Sequence, residues 1–258
     1  MRLVDVHCHL ESDIFRDSLD SIIGGALDAG IVKLITSSIT PDEWPLSESI
    51  ARRYECVEFA LGVHPWYCRE EHMGRIDELA DARVRGAIAI GEIGLDKKTP
   101  HPSMELQRRI FERQLSIAKE LDLPVIMHCR GAFEELLHHI KKTGMPKRGG
   151  IIHSFSGSIQ IAEELMKYGV SFSFGGALTF RNSKKKEDVL KGIFPGHFML
   201  ETDAPDIPPV EKKDVPNVPA HILYNLKAAS DILGLPEETV AGAATINAAN
   251  MFGLNLQS

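Results

Sequence analysis

Long hydrophobic runs are missing from this 258-residue chain. No stretch approaches the roughly 20 consecutive apolar residues that cross a bilayer, so no membrane span is expected. The opening residues show no basic segment followed by an apolar one, so no secretory signal is expected either. Cysteine is scarce. Cys8, Cys56, Cys68 and Cys129 form no Cys-x-x-Cys pair and no disulfide-like framework, which makes a reducing, cytoplasmic setting the expectation. Positive charge is also short. With 29 Lys and Arg against 36 Asp and Glu the net charge is −7, which argues against sequence-independent coating of nucleic acid. An enzyme that takes a phosphate locally is still allowed, because metal ions would supply the positive charge that the composition lacks. There is no internal repeat, low-complexity tract or Ser/Pro/Gly-rich linker, so one domain over residues 1–258 is expected.

The chain alternates short apolar runs with longer amphipathic ones. Strands are expected at 3–6, 32–36, 57–61, 87–90, 124–127, 150–152, 170–174 and 198–200. The clearest helical pattern lies between residues 103 and 121, where Phe111, Leu115 and Ala118 share a face and Glu105 and Arg109 are spaced to pair on the exposed side. Residues 219–233 repeat that logic with Ile222, Leu226, Ala229 and Leu233, and Pro219 suits a first turn. A further helix from residue 236 is expected to end at Gly253. Strand then helix, eight times over, is the pattern of an α/β fold of the (β/α)8 TIM-barrel type with an extra C-terminal helix. A doubly wound open sheet would need a Gly-rich phosphate-binding turn after its first strand. This chain has His7-Cys8-His9-Leu10-Glu11 there instead.

A barrel requires its chemistry to cluster at the C-terminal ends of the strands. Five of the eleven histidines fall at such positions: His7, His9, His64, His128 and His153. Carboxylates join them at Gly91-Glu92-Ile93-Gly94-Leu95-Asp96 and Glu201-Thr202-Asp203-Ala204-Pro205. His7 and His9 flank Cys8, and Asp5 precedes them at a spacing that suits support of a ligand ring from behind. Cys8 and Cys129 alternate away from the ligands and are expected to be small core residues.

Donor counting around a closed barrel gives His7, His9, Glu92, His128, His153 and Asp203. Six are too many for one tetrahedral catalytic ion and the right number for two. Glu92 is assigned as the bridge, His7, His9 and Asp203 complete one ion, and His128 and His153 hold the other. Two such ions activate one water between them and neutralise charge on a phosphorus or carbonyl centre. Imidazoles favour Zn, while carboxylates tolerate Mg or Mn. Glu201 shares strand parity with Asp203 and is expected to support it from one layer below, and Asp5 is placed in the same supporting role. His64 and Asp96 are expected to contact substrate or bound water. Arg130, directly after His128, is the expected phosphate contact. A basic turn, Arg181-Asn182-Ser183-Lys184-Lys185-Lys186, follows the seventh strand, near where barrels often hold a phosphate.

Together, Asp5-x-His7-x-His9, Gly91-Glu92-Ile93-Gly94-Leu95-Asp96, His128-Cys129-Arg130, His153-Ser154-Phe155-Ser156-Gly157, Glu201-Thr202-Asp203-Ala204-Pro205 and the closing Asn247-Ala248-Ala249-Asn250-Met251-Phe252-Gly253 resemble the TatD-type metal-dependent hydrolases. The likeness spans essentially the whole chain in order. It implies a dinuclear barrel with DNase activity, often exonucleolytic, and metal contacts at the same six positions that donor counting gave. Lys97-Lys98 after Asp96, Glu11, and Lys212-Lys213-Asp214-Val215-Pro216 depart from the usual family pattern without touching those six.

The expected activity is therefore cleavage of DNA phosphodiesters by a metal-activated hydroxide, with Asp203 as proton acceptor and Glu92 as bridging ligand. A dinuclear hydrolase of a small amide, ester or lactone is the alternative. DNA is the expected partner, with the chain a monomer or weak homo-oligomer.

Overall fold

Residues 1–180 and 183–256 are described by the structure, a computed structural model. Among them, eight parallel strands form one sheet in sequential order: β1 (Leu3–Cys8), β2 (Ile31–Ser37), β3 (Val57–Leu61), β4 (Ala89–Asp96), β5 (Val125–Arg130), β6 (Gly150–Ile152), β7 (Val170–Phe174) and β8 (Phe198–Leu200). Past the end of β8 the chain meets β1, where Asp203 N donates to His7 O at 2.9 Å and His9 N donates to Ala204 O at 2.7 Å. The ring is thereby drawn nearly closed, with helices between its strands: a (β/α)8 barrel.

Strands of such a barrel are covered on both faces, so they carry near-continuous apolar runs. Val4, Val6, Ile35, Ala60, Ala89, Ile126, Ile151 and Met199 form an inner cluster with Ala248 and Phe252 of the helix Glu237–Phe252. That helix, the expected C-terminal addition, ends at Gly253 in the left-handed region (φ 68°). The outer shell packs the helices against the sheet's other face. There Phe111, Leu115 and Ala118 of Met104–Leu121 are fully buried, as their spacing predicts. Ser103 caps this helix by accepting from Leu106 N at 3.3 Å. The expected Glu105–Arg109 pair is not what holds Arg109: its Nη1 donates to Glu70 at 2.9 Å, because an exposed side chain takes whichever carboxylate the neighbouring segment presents. The 219–233 pattern divides into a 3-10 turn, Pro219–His221, and the helix Ile222–Leu233.

β1, β4 and β5 outrun their expected ends by two residues or more, and each extension carries site residues. β1 continues through His7 to Cys8, and its pairing with β2 is irregular between Asp5 and Cys8. An irregularity of this kind re-aims side chains, so Val6 belongs to the inner cluster while the next residue, His7, lies at the mouth. β5 runs through His128 to Arg130. β4, expected to end at residue 90, continues through Gly91 and Gly94 to Asp96. Glycine inside a strand marks a close approach of backbones. At Gly94 (φ 147°) an added Cβ would lie 2.0 Å from the carbonyl oxygen of His128 on β5. Gly94→Ala is therefore expected to destabilise the fold by about 4 kcal/mol or more, read as a large drop in the thermal midpoint or loss of soluble protein. A midpoint within two or so degrees of wild type would contradict this packing.

Candidate metal centre

Glu92 sits at the middle of the barrel mouth, 2 % exposed, with its two carboxylate oxygens facing different groups. Oε2 lies 3.4 Å from His7 Nε2 and 3.6 Å from His9 Nε2. Oε1 lies 2.9 Å from His153 Nε2, 3.1 Å from His64 Nε2 and 3.4 Å from His128 Nδ1. Asp203 Oδ1 completes the first group at 3.3 Å from His7 Nε2 and 3.5 Å from His9 Nε2. The six residues expected to bind metal thus converge.

The rings are held from behind, and those partners set which nitrogen faces inward. His9 Nδ1 faces Ser37 O at 2.8 Å and Glu11 Oε1 at 3.2 Å, both acceptors, so it carries the proton and leaves Nε2 a free lone pair. His128 Nε2 is 3.0 Å from Asp96 Oδ2, which likewise leaves Nδ1 as the inward ligand atom. His7 Nδ1 meets Ser37 Oγ at 3.1 Å. His64 is reversed: its Nδ1 accepts from Trp66 N at 3.1 Å, so the neutral ring turns an N–H toward Glu92.

Several sequence expectations change place here. Asp5 does not touch the His7 ring. Its carboxylate accepts from Thr202 N at 3.0 Å and His7 N at 3.3 Å, tying β1 to the end of β8. Ser37 orients the ring instead, and the short Ser37-Ser38 pair closing β2 gave little signal for it. Asp96 is expected above the site, yet it is fully buried and accepts from Trp66 Nε1 at 2.6 Å and Lys98 N at 2.7 Å while holding His128 and Arg130. His64, expected at the substrate, stands inside the donor ring, 5 % exposed. Glu201 lies below Asp203, accepting from Ser154 N at 2.7 Å and from Ser173 Oγ. Arg130 is half exposed, with Nε 3.0 Å from Asp96. In the basic turn, Arg181 and Asn182 lie outside the described residues. Ser183 caps the helix Lys184–Ile193, and Lys185 and Lys186 donate to backbone carbonyls.

Buried donors without partners are costly, and this mouth contains several. Among the described residues His7 Nε2, Glu92 Oε1 and His153 Nδ1 are buried with no hydrogen-bond partner. The ion-pair contacts above are close but lack hydrogen-bond geometry. The residues fit a cation. Around a tetrahedral ion with ligand bonds of about 2.0–2.2 Å, neighbouring donors stand about 3.3–3.6 Å apart. The four separations linking His7 and His9 to Glu92 and Asp203 run from 3.3 to 3.6 Å.

Without a cation, protons balance the carboxylates. Burial disfavours the charge on His7, but Glu92 and Asp203 outweigh it and hold its pKa at about 10. Burial is likewise overcome at His128 by Asp96 and Glu92, raising it to about 9. Burial pushes Glu92 up, yet the surrounding imidazoles, His64 first, take it well below the usual range. His153 goes the other way, to about 4, through burial and the nearby charge of His7. Metal ligation needs neutral rings, so a divalent ion must displace protons whenever the pH is below the raised values. Affinity should rise with pH up to about pH 9–10 and fall on acidification. Calorimetric titration of Zn into stripped protein near pH 7.5, in buffers of different ionisation enthalpy, should show net proton release. Heat that does not depend on the buffer would contradict it.

The donor ring opens into a cavity of about 1070 Å³. Arg130, Lys185 and Lys186 line its β5–β7 side; Asp13, Asp42 and Glu43, with Arg16 paired to Asp13, line the side of β1 and β2.

Comparison with known proteins gives a consistent match. Residues 4–253 fit the family model described as TatD related DNase. The metal-dependent hydrolase YjjV of Escherichia coli K12 is 31% identical over 256 residues, covering 98% of each chain. Its crystal structure, described as a TatD homolog, superposes with a TM-score of 0.92, covering 98% of this chain and 99% of that one at 30% identity. The metal-dependent hydrolase YabD of Bacillus subtilis is 31% identical, covering 98% of this chain and all of its own (100%). A Citrobacter koseri relative named 3'-5' ssDNA/RNA exonuclease TatD is 28% identical, covering 98% of this chain and 99% of its own.

Proposed function

The chain belongs to the TatD related DNase family and is a metal-dependent hydrolase, and on that premise we propose that it is a deoxyribonuclease that cleaves phosphodiesters from the end of a DNA strand. The observation that carries the reading is the pairing of the donor ring with one basic cavity wall. In a chain of net charge −7, Arg130, Lys185 and Lys186 gather on the β5–β7 side of the opening. That sorting suits a polyanion entering along one side only. The name of the Citrobacter koseri relative lends support to a strand-end substrate.

His7, His9, Asp203 and one oxygen of Glu92 would hold one ion; the other oxygen, His128 and His153 would hold a second. Bound there, divalent ions lower the pKa of water and neutralise charge on the phosphoryl oxygens. The chain's own groups do the rest. Asp203 turns Oδ1 to His7 and His9, while Oδ2 lies 3.9 Å from His153 Nδ1. In this reading Oδ2 takes a proton from the attacking water and returns it to the leaving oxygen. The water oxygen bonds to phosphorus as the bond to the leaving nucleoside oxygen breaks. His64, with its Nε2–H toward Glu92, would steady that carboxylate, and Arg130 would grip a phosphate, where a guanidinium binds in bidentate fashion.

End-labelled single- and double-stranded DNA incubated with the purified protein under Mg, Mn or Zn tests this. Degradation from one end, abolished by chelator, is the expected result. Intact DNA alongside metal-dependent turnover of a small ester, amide or lactone would move the assignment to a small-molecule hydrolase.

A further inference from the structure

Trp66 has no role in the chemistry above, yet it stands on the cavity wall beside it. It lies in the one-turn 3-10 segment Pro65–Tyr67, just past β3, where the imidazole of His64 accepts its backbone N–H. Its indole Nε1 donates to the buried Asp96 carboxylate at 2.6 Å. The same carboxylate holds His128 at 3.0 Å and the Nε of Arg130 at 3.0 Å. The Arg130 guanidinium carbon is 5.4 Å from the indole centroid, and the His128 ring is 5.9 Å from it.

An indole fixed at its polar edge normally disappears into a core. Trp44 does so, fully buried with Nε1 bonded to Gly62 O at 2.9 Å. Trp66 is pinned just as firmly but remains 44 % exposed, and Tyr67 beside it is 39 % exposed. A rigid, half-open aromatic next to a guanidinium, both fixed to a donor-ring imidazole through one carboxylate, matches a nucleotide: a flat base joined to an anion. Base–aromatic stacking tolerates any sequence, because every base offers a π-face.

We infer that Trp66 is the platform on which the base of the strand's terminal nucleotide stacks, with Arg130 on the adjacent phosphate; this rests on the nuclease reading. Specificity for a strand end then includes a base as well as a phosphate. Removing a stacking aromatic weakens binding by about 5- to 100-fold in other single-strand sites.

Two readouts test the platform on the metal-loaded enzyme. The first is KM and kcat for single-stranded oligonucleotides whose terminal residue is either thymidine or abasic. Trp66→Leu should raise KM for the thymidine end about tenfold or more, shift kcat far less, and make little difference on the abasic end. Trp66→Phe, which keeps a ring but loses the N–H, should restore most of the affinity. The second is fluorescence. The chain has two tryptophans, and Trp44 is enclosed, so quenching by thymidine monophosphate but not by deoxyribose phosphate reports stacking on Trp66.

If Trp66 serves only to brace Asp96, Phe and Leu will fail alike, with the loss in kcat and no base-dependent quenching, and the platform is overturned. Equal KM for both ends in wild type, unaltered by Trp66→Leu, overturns the platform and leaves the nuclease reading standing. If wild type leaves both oligonucleotides intact, both readings fall together.

Discussion

Asp203→Asn is expected to lower kcat for DNA cleavage by about three orders of magnitude, with KM and the far-ultraviolet circular dichroism close to wild type. Loss of a positioned acid–base group alone removes about 10²–10⁴, and weaker ligation of the ion beside His7 and His9 adds to it. The backbone at this position should survive. It is held by Asp203 N to His7 O at 2.9 Å and by Asp206 N to Asp203 O at 2.8 Å, and asparagine tolerates its left-handed φ of 59°. An amide keeps the shape and can still offer one oxygen to the His7–His9 group. It cannot accept the water's proton. A variant that turns over within tenfold of wild type would remove Asp203 from that role and point to another base.

The second large effect is expected at Glu92. Its two oxygens face two groups of imidazoles, so Glu92→Gln must turn an NH2 toward one of them. An NH2 has no lone pair for a cation, and by donating to the imidazole nitrogen it meets it would occupy the lone pair that nitrogen offers the ion. One group therefore loses a donor and the shared anion disappears. Even partners outside the ligand shell change metal affinity by about 10- to 100-fold, and on the proposed bridging role the loss at Glu92 should exceed that. The variant should retain at most half the metal of wild type after dialysis and show less than a hundredth of its activity. Restored activity at high metal concentration would show that Glu92 acts through affinity alone.

Much of this site is legible in the sequence. The histidines and carboxylates at strand ends are short-range signals, and barrel geometry needs only their order to bring them together. The bounds of β3, β6, β7 and β8 also follow from apolar runs between clear breaks. The rest depended on tertiary contact. The apolar run of β4 stops at residue 90, but Gly91 and Gly94 let the strand run on against its neighbours, which puts Asp96 inside it. Asp96 consequently braces His128 and Arg130 from below instead of meeting substrate. Ser37 holds two rings at once, through its hydroxyl and its carbonyl, and neither contact leaves a mark in the sequence. The direction of the His64 ring was equally hidden, since it is set by the backbone N–H two residues on.

The central claim is that Glu92 joins two donor groups, each able to hold an ion. Metal content per chain, measured by elemental analysis after equilibrium dialysis against limiting free Zn or Mn, tests it most directly when wild type is compared with Glu92→Gln. Two ions per wild-type chain, with one or none in the variant, is the predicted result. A single ion in wild type, unaffected by loss of the Glu92 carboxylate, would contradict it.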